Sequence, residues 1–479
     1  MRQLTALLLV AAAVPAIAAP PQSTLVNAPK LPKQWEATTR EIYQKAVEFP
    51  TVAGRDQLPP LTAYLAGQLR AAGWAEQDIR IEAYEATAGN RTAALIARWP
   101  AAKRVAGRKP ILILAHLDVV EALASDWGTD PFKLVEKDGY FYGRGTGDDK
   151  GGAIPAMVAL MKLRAAGFKP SRDIVLLFTG DEETRGKGAE LGATDWRRWT
   201  DAEFALNADA GGGAFTRDGK PLGFGLQTSE KTFQSYYLRV RNPGGHSSRP
   251  RPDNAIYQLA DALKMLQAHR FVPALNETTR AYFTERAKQE GETALGKSMR
   301  AWLANPADGV AADAIEANEL EVGLTRTRCV ATMLKGGHAD NALPQLAEAT
   351  VNCRILPGVE PGVIEAELKQ MLGSKVEVTP FADAGRPTPV SPLRADVVAA
   401  YTKAVHARFP GVQIIPQMST GATDGLEFRA RGIPVYGVDG QWGVSPDDER
   451  AHGKDERIPV QSLWDNVFHW ERLVSELAR

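Results

Sequence analysis

Cysteine is nearly absent, with two in 479 residues. That excludes a disulfide-framework protein and a thiolate zinc cage, so any metal must be held by His, Asp and Glu. Net charge is absent too. Lys plus Arg and Asp plus Glu both number 57, a balance that argues against electrostatic nucleic-acid binding and a polybasic membrane patch. Beyond the N-terminus no apolar run approaches the ~20 residues that a membrane span needs. Internal repeats and low-complexity tracts are also lacking. What is there is an ordinary globular composition, 44% hydrophobic and 24% charged, which excludes wholesale disorder. The length suits about three domains at ~150 residues each.

Residues 1–18 read as a signal peptide. Arg2 is a thin positive start, residues 4–14 are mostly apolar, and Ala16-Ile17-Ala18 fits the small-x-small cleavage pattern. An exported protein, periplasmic or secreted, is expected. No cysteine follows the cleavage region, so no lipid or other membrane anchor is expected.

The remainder reads as α/β. Continuous apolar runs at 111–115 and 174–178, a shorter one at 204–207 and another at 432–436 look like buried strands of a mainly parallel sheet, with a helix over 152–166. From about residue 232 the texture changes. An alternating strand at 232–241, a helix capped by Asp253, strands at 327–335 and 347–356, a helix at 361–372 and a strand at 376–378 give a β-α-β-β-α-β, ferredoxin-like unit. It carries an insert at about 275–325, read as extra helices. The expected division is therefore 19–227 and 381–479 as one α/β domain, interrupted by 228–380. Cys329 and Cys353 stand symmetrically about residue 341, the centre of the loop between two strands. A symmetric hairpin opposes them, and a disulfide is expected.

Chemistry-bearing residues gather at predicted strand ends. His116 and Asp118 follow the first run, Asp181, Glu182 and Glu183 the second, and Asp209 the third; Asp148 and Asp149 add two carboxylates. Open α/β sheets bind ligands beyond the carboxyl ends of their strands, and so many carboxylates together call for a cation. Mixed His/carboxylate ligation suits zinc, with cobalt or manganese as possible substitutes. Nucleotide motifs are excluded. Gly186-Lys187-Gly188 has the wrong spacing for a phosphate loop, and Gly143-Arg-Gly-Thr-Gly lacks the third glycine of a dinucleotide fingerprint. Adjacent Glu182 and Glu183 cannot flank a sugar bond.

Ala115-His-Leu-Asp-Val-Val120, Gly139-Tyr-Phe-Tyr-Gly-Arg-Gly145, Asp148-Asp-Lys-Gly151, Thr179-Gly-Asp-Glu-Glu183, Asn207-Ala-Asp-Ala-Gly211, Gly244-Gly-His-Ser-Ser248 and Gly421-Ala-Thr-Asp-Gly425 together resemble the M20 metallopeptidases. Among these are glutamate carboxypeptidases, aminoacylases, carnosinase-type dipeptidases and carboxypeptidase S. The resemblance covers nearly all of residues 35–479. It implies a di-zinc catalytic domain with an inserted lid and dimerisation domain. His116, Asp148 and Asp209 would hold one ion; Asp148, as bridge, Glu183 and His452 the other. Asp118 would orient His116, and Glu182 would be the general base acting on a metal-bridged water. His246 would reach the site of the other subunit of a homodimer. Asn341, Arg354 and Thr423 would bind substrate. His469, the rival to His452, lies in a helical Trp-rich stretch and reads as core, while His269 and His406 read as structural. The implied activity is exopeptidase cleavage of dipeptides or of C-terminal residues of short peptides. An N-acyl-amino-acid amidohydrolase would use the same site, and a non-catalytic, metal-dependent peptide-binding protein is the reading from another class.

Overall fold

A computed structural model describes residues 30–103, 105–382 and 385–479; the expected signal peptide lies outside them. Its largest sheet has eight strands in the order Ile79–Thr87, Asn90–Trp99, Ile174–Thr179, Ile111–His116, Phe204–Phe215, Val435–Val444, Pro221–Glu230, Ile414–Ser419. The centre is parallel, from Ile174–Thr179 through Val435–Val444. Antiparallel pairings enter through the hairpin Ile79–Trp99 and through the return of Pro221–Glu230 beside Phe204–Phe215.

Strands Ile111–His116 and Ile174–Thr179 are buried along their whole length. The reason is that helices cover both faces. Ile111, Ile113 and Ala115 pack toward helices Lys150–Ala165 and Val460–Leu477, while Leu112 and Leu114 face Ala189, Ala193 and Phe428. The expected short strand at 204–207 runs on to Phe215, and the one at 432–436 starts at Val435 and runs to Val444. These two pair with one another along most of their length, so neighbour pairing extends them beyond their apolar stretches.

The chain leaves this sheet after Glu230 and enters a second at Thr232. Four antiparallel strands, in the order Arg328–Gly336, Leu346–Ile355, Thr232–Arg241, Glu377–Pro380, are covered by helices Ala255–Ala268 and Pro361–Leu372. Asn254, not Asp253, caps the first helix: its Oδ1 accepts from Ile256 N at 2.8 Å, whereas Asp253 is turned to Arg251 at 2.8 Å. Cys329 and Cys353 sit directly opposite in register and form a disulfide. The insert is helical, with Glu277–Glu290, Ala294–Ala304 and Gly309–Glu316. Its Phe283, Met299, Trp302 and Ile315 pack on Met418 of strand Ile414–Ser419 and on Leu356. The insert thus covers the outer edge of the large sheet, where unpaired main chain would otherwise stand open.

Candidate metal and catalytic site

Three segments meet where the parallel strands end. His116 is the last residue of its strand. Glu182 and Glu183 follow strand Ile174–Thr179 in a turn pinned by Asp118, whose two carboxylate oxygens accept from Glu182 N at 3.1 Å and Glu183 N at 3.0 Å. Asp118 also offers His116 Nδ1 its main-chain oxygen at 3.1 Å and its Oδ1 at 3.5 Å. Asp118 therefore fixes the glutamate turn as well as the imidazole. Asp209 lies inside strand Phe204–Phe215 rather than beyond its end, at the point where pairing with Ile111–His116 stops.

Asp148 stands between two imidazoles. Its Oδ1 is 3.0 Å from His116 Nε2 and its Oδ2 is 3.2 Å from His452 Nε2. Asp209 Oδ1 is 3.6 Å from His116, and both oxygens of Glu183 are 2.9 Å from His452 Nε2. The potential ligand atoms of His116, Asp148 and Glu183 lie within 4.8 Å of one another, as do those of His116, Asp149 and Asp209. His116, Asp148, Glu183, Asp209 and His452 are thus brought together. Asp149 joins them. It was noted as a carboxylate in the sequence, but its packing against Asp209 and its bond from His116 N at 3.2 Å could not be read there.

Electrostatics say that the group is incomplete by itself. Burial and Asp209 push Glu182 and Asp149 well above the usual carboxylate range. Burial raises Asp209, and burial with Asp148 lifts Glu183 to about 7. Asp148, though buried, is held low by His116 and His452. The bond to Asp148 raises His452 to about 9. Burial opposes charge on His116, but Asp209, Asp118 and Asp148 lift it well above its ordinary value. Crowded carboxylates with two imidazoles are a donor set that divalent cations relieve. The residues fit a metal pair.

A buried clamp holds the group's shape. Arg144 Nη1 donates to Glu456 Oε2 at 2.6 Å and Nη2 to Gly453 O at 3.0 Å. Glu456 in turn accepts from the main chain of Gly145, Gly147 and Asp148 at 3.0, 2.7 and 3.1 Å. One ion pair ties the loop carrying Asp148 to the loop carrying His452, itself exposed and at φ 61°.

The sequence profile of peptidase family M20/M25/M40 matches residues 112–476. The chain belongs to that family. This M20 chain is 30% identical over 373 residues to a human N-fatty-acyl-amino acid synthase/hydrolase PM20D1, covering 74% of this chain and 71% of the relative. It is 28% identical over 383 residues to a probable carboxypeptidase S-like 2 of Dictyostelium discoideum, covering 78% and 72%. Among solved structures it shares the fold of an M20 family metallo-carboxypeptidase from Sulfolobus solfataricus (TM-score 0.66, 19% identity, 91% of this chain and 98% of that one). The dipeptidase Dug1p of Saccharomyces cerevisiae is similar too (0.65, 16%, 93% and 96%). By family the M20 chain is a hydrolase of amide bonds.

Other residues picked from the sequence have these surroundings in this M20 chain. His246 is exposed on a two-residue strand paired with Ala342–Leu343, and Ser247 N donates to Asn341 O at 3.0 Å, so His246 and Asn341 are neighbours. Arg354 is half-buried on strand Leu346–Ile355, 4.9 Å from the Phe233 ring, with no carboxylate partner among the described residues. Thr423, expected as a substrate contact, is bonded within the protein. Its hydroxyl donates to Glu230 at 3.1 Å and accepts from Asn207 at 3.2 Å and Gly425 N at 3.1 Å, so it is spent inside the protein. His469 is buried, with Nε2 2.8 Å from Val438 O and Nδ1 3.0 Å from Arg408, as core packing demands.

Proposed function

We propose that this chain is an exported, metal-dependent exopeptidase-type amidohydrolase that releases an amino acid with a free α-carboxylate from a short peptide or an N-acyl precursor. The observation that carries the reading is Asp148, which offers one oxygen to each of two histidines inside a buried carboxylate group. His116, Asp148 and Asp209 would hold one ion, and Asp148, Glu183 and His452 the other; zinc suits these donors, and cobalt or manganese would substitute. When bound, such ions polarise the amide carbonyl and lower the pKa of water.

The chain's own residues do the rest. Glu182 lies beside this group with no hydrogen bond to its carboxylate among the described residues, so its Oε is free to take a proton from the attacking water and pass it to the amide nitrogen. Arg354, half-buried and without a carboxylate partner among the described residues, offers a planar fork to the substrate's α-carboxylate. Asn341 adds a neutral hydrogen bond, and His246 stabilises the carbonyl oxygen at the partner subunit's site.

Chelation should abolish hydrolysis of N-acyl amino acids and dipeptides, and zinc should restore it. Amidating the C-terminus should lower kcat/KM by ~100-fold or more, because a charge-assisted pair is lost and the arginine left unmatched. Equal cleavage of free-acid and amidated substrates would remove the carboxylate-recognition half of this reading.

A further inference from the structure

Lys231 is the one residue between the two sheets. Glu230 ends a strand of the large sheet, and Thr232 begins a strand of the smaller one. The junction is pinned on the large-sheet side. Glu230 bonds Arg429 and accepts from Thr423 N at 2.7 Å, and Lys231 N donates to Ser419 O at 3.0 Å. The Lys231 side chain is fully buried. Among the described residues its Nζ has one hydrogen-bond partner, Arg326 O at 2.5 Å, where an ammonium has three protons to place.

Cations crowd this junction. Arg328 and Arg354 stand directly opposite one another on neighbouring strands. Cys353 and Ile355 pack under the helices of the smaller sheet, so Arg354 and Arg328 point to the face that those helices leave bare. Like charges set opposite one another destabilise a sheet. The nearby carboxylates do not cancel them. Glu316 pairs with Arg328 at 3.2 Å, but it also accepts from Gly323 N at 3.1 Å and Thr325 N at 3.0 Å. Asp313 is taken by Arg326 at 2.8 Å. Arg386, whose main chain bonds Thr232, is itself turned to Glu190 and Glu427 at 3.3 and 3.7 Å. Among the described residues, Lys231, Arg328 and Arg354 thus share one carboxylate, Glu316. Burial and the two guanidiniums bring Lys231 down to about 7, against the pull of Glu316.

We propose that Lys231 is a positioning residue for the substrate's carboxylate: it takes up a proton from solvent as that carboxylate docks on Arg354, and the ammonium so formed tightens the grip. The proposal rests on the carboxylate reading of Arg354 above and adds the proton to it. Without the ligand, a charge on Lys231 stands buried beside two guanidiniums. A docked carboxylate offsets that repulsion and favours the charged amine. One N–H bond forms at Lys231, the buffer gives up the proton, and no other bond changes.

The test uses metal-loaded Glu182→Gln, which should bind without turnover, with N-acetyl-L-leucine, N-acetyl-L-phenylalanine and their C-terminal amides. Calorimetry at about pH 8 in buffers of different ionisation enthalpy counts protons. The free acid should bind tighter than its amide and take up ~0.5–1 proton more. Adding Lys231→Met should remove the extra proton. In the active enzyme, KM for the free acid should rise by up to about tenfold per pH unit above about pH 7, and Lys231→Met should lose that rise while its kcat profile keeps its shape. A free acid that binds tighter than its amide with no extra proton would overturn the proposal and leave the Arg354 reading standing. A free acid that binds no better than its amide would remove the Arg354 reading and the proposal with it. A further measurement needs no ligand. The unfolded chain keeps the lysine proton to about pH 10 and the folded chain sheds it, so the wild type should gain stability over Lys231→Met between about pH 7 and pH 10. A constant gap would also overturn the proposal. Calorimetry leaves Lys231 intact, so it decides the matter even where Lys231→Met fails to fold.

Discussion

Adjacent side chains of the same chemistry, Glu182 and Glu183, are given different positions by one neighbour. Asp118 grips both of their N–H groups; Glu183 bonds His452, while the Glu182 oxygens have no hydrogen bond among the described residues. Glu182→Gln should keep its metal, measured by elemental analysis, and lose ~100-fold or more in kcat, as removal of a general base does. Near-normal kcat would mean that another carboxylate takes the proton. Asp148→Ala should lose both ions, because its two oxygens face the two histidines separately. Full occupancy in that variant would refute the bridge.

Among elements, the weak point is the loop bearing His452. Arg144 and Glu456, 3% and 2% exposed, join that loop to the one bearing Asp148. Arg144→Met leaves a buried carboxylate unpaired, which costs ~3–5 kcal/mol. The expected result is a lower denaturation midpoint and, after dialysis against a weak chelator, loss of one ion before the other. Simultaneous loss of both ions, or none, would detach the clamp from His452. In the smaller sheet the Cys329–Cys353 disulfide closes a separation of 24 residues. Cys353→Ser should cost ~2–4 kcal/mol on denaturant unfolding; an unchanged midpoint would show that the strands alone hold that hairpin.

For the whole molecule the open question is assembly. Among the described residues, strand Arg328–Gly336 pairs with one neighbour only. Val330, Met333 and Leu334 on it are 58%, 55% and 66% exposed, and Tyr257 on the adjacent helix is 65% exposed. An apolar strand edge of that length is a template for pairing with a second chain. The helical insert packs on Ile414–Ser419 and reaches this strand at its first residue, where Glu316 pairs with Arg328 at 3.2 Å. A homodimer through this edge is expected by sedimentation, and Leu334→Asp should shift it to monomer. If His246 completes the partner's site, mixing His246→Ala and Glu182→Gln protomers should restore part of the activity. No recovery after confirmed subunit exchange would sink the shared site.

Sequence by itself determined the family, the α/β order of elements and most of the His–carboxylate group. His116 and the Glu182–Glu183 pair follow apolar runs that must be buried strands, and strand ends are where such sheets gather ligands. The cysteine pairing was legible for a similar reason, since hairpin symmetry is a local count. Tertiary structure decided what depends on distant partners. Thr423 looked available in its Gly-rich turn, but Glu230 and Asn207, 193 and 216 residues away, use up its hydroxyl. Arg144 and Glu456 are 312 residues apart, and no periodicity connects them. Local pattern fixes which residues are buried; which buried residues face each other is set by the packing of the whole chain.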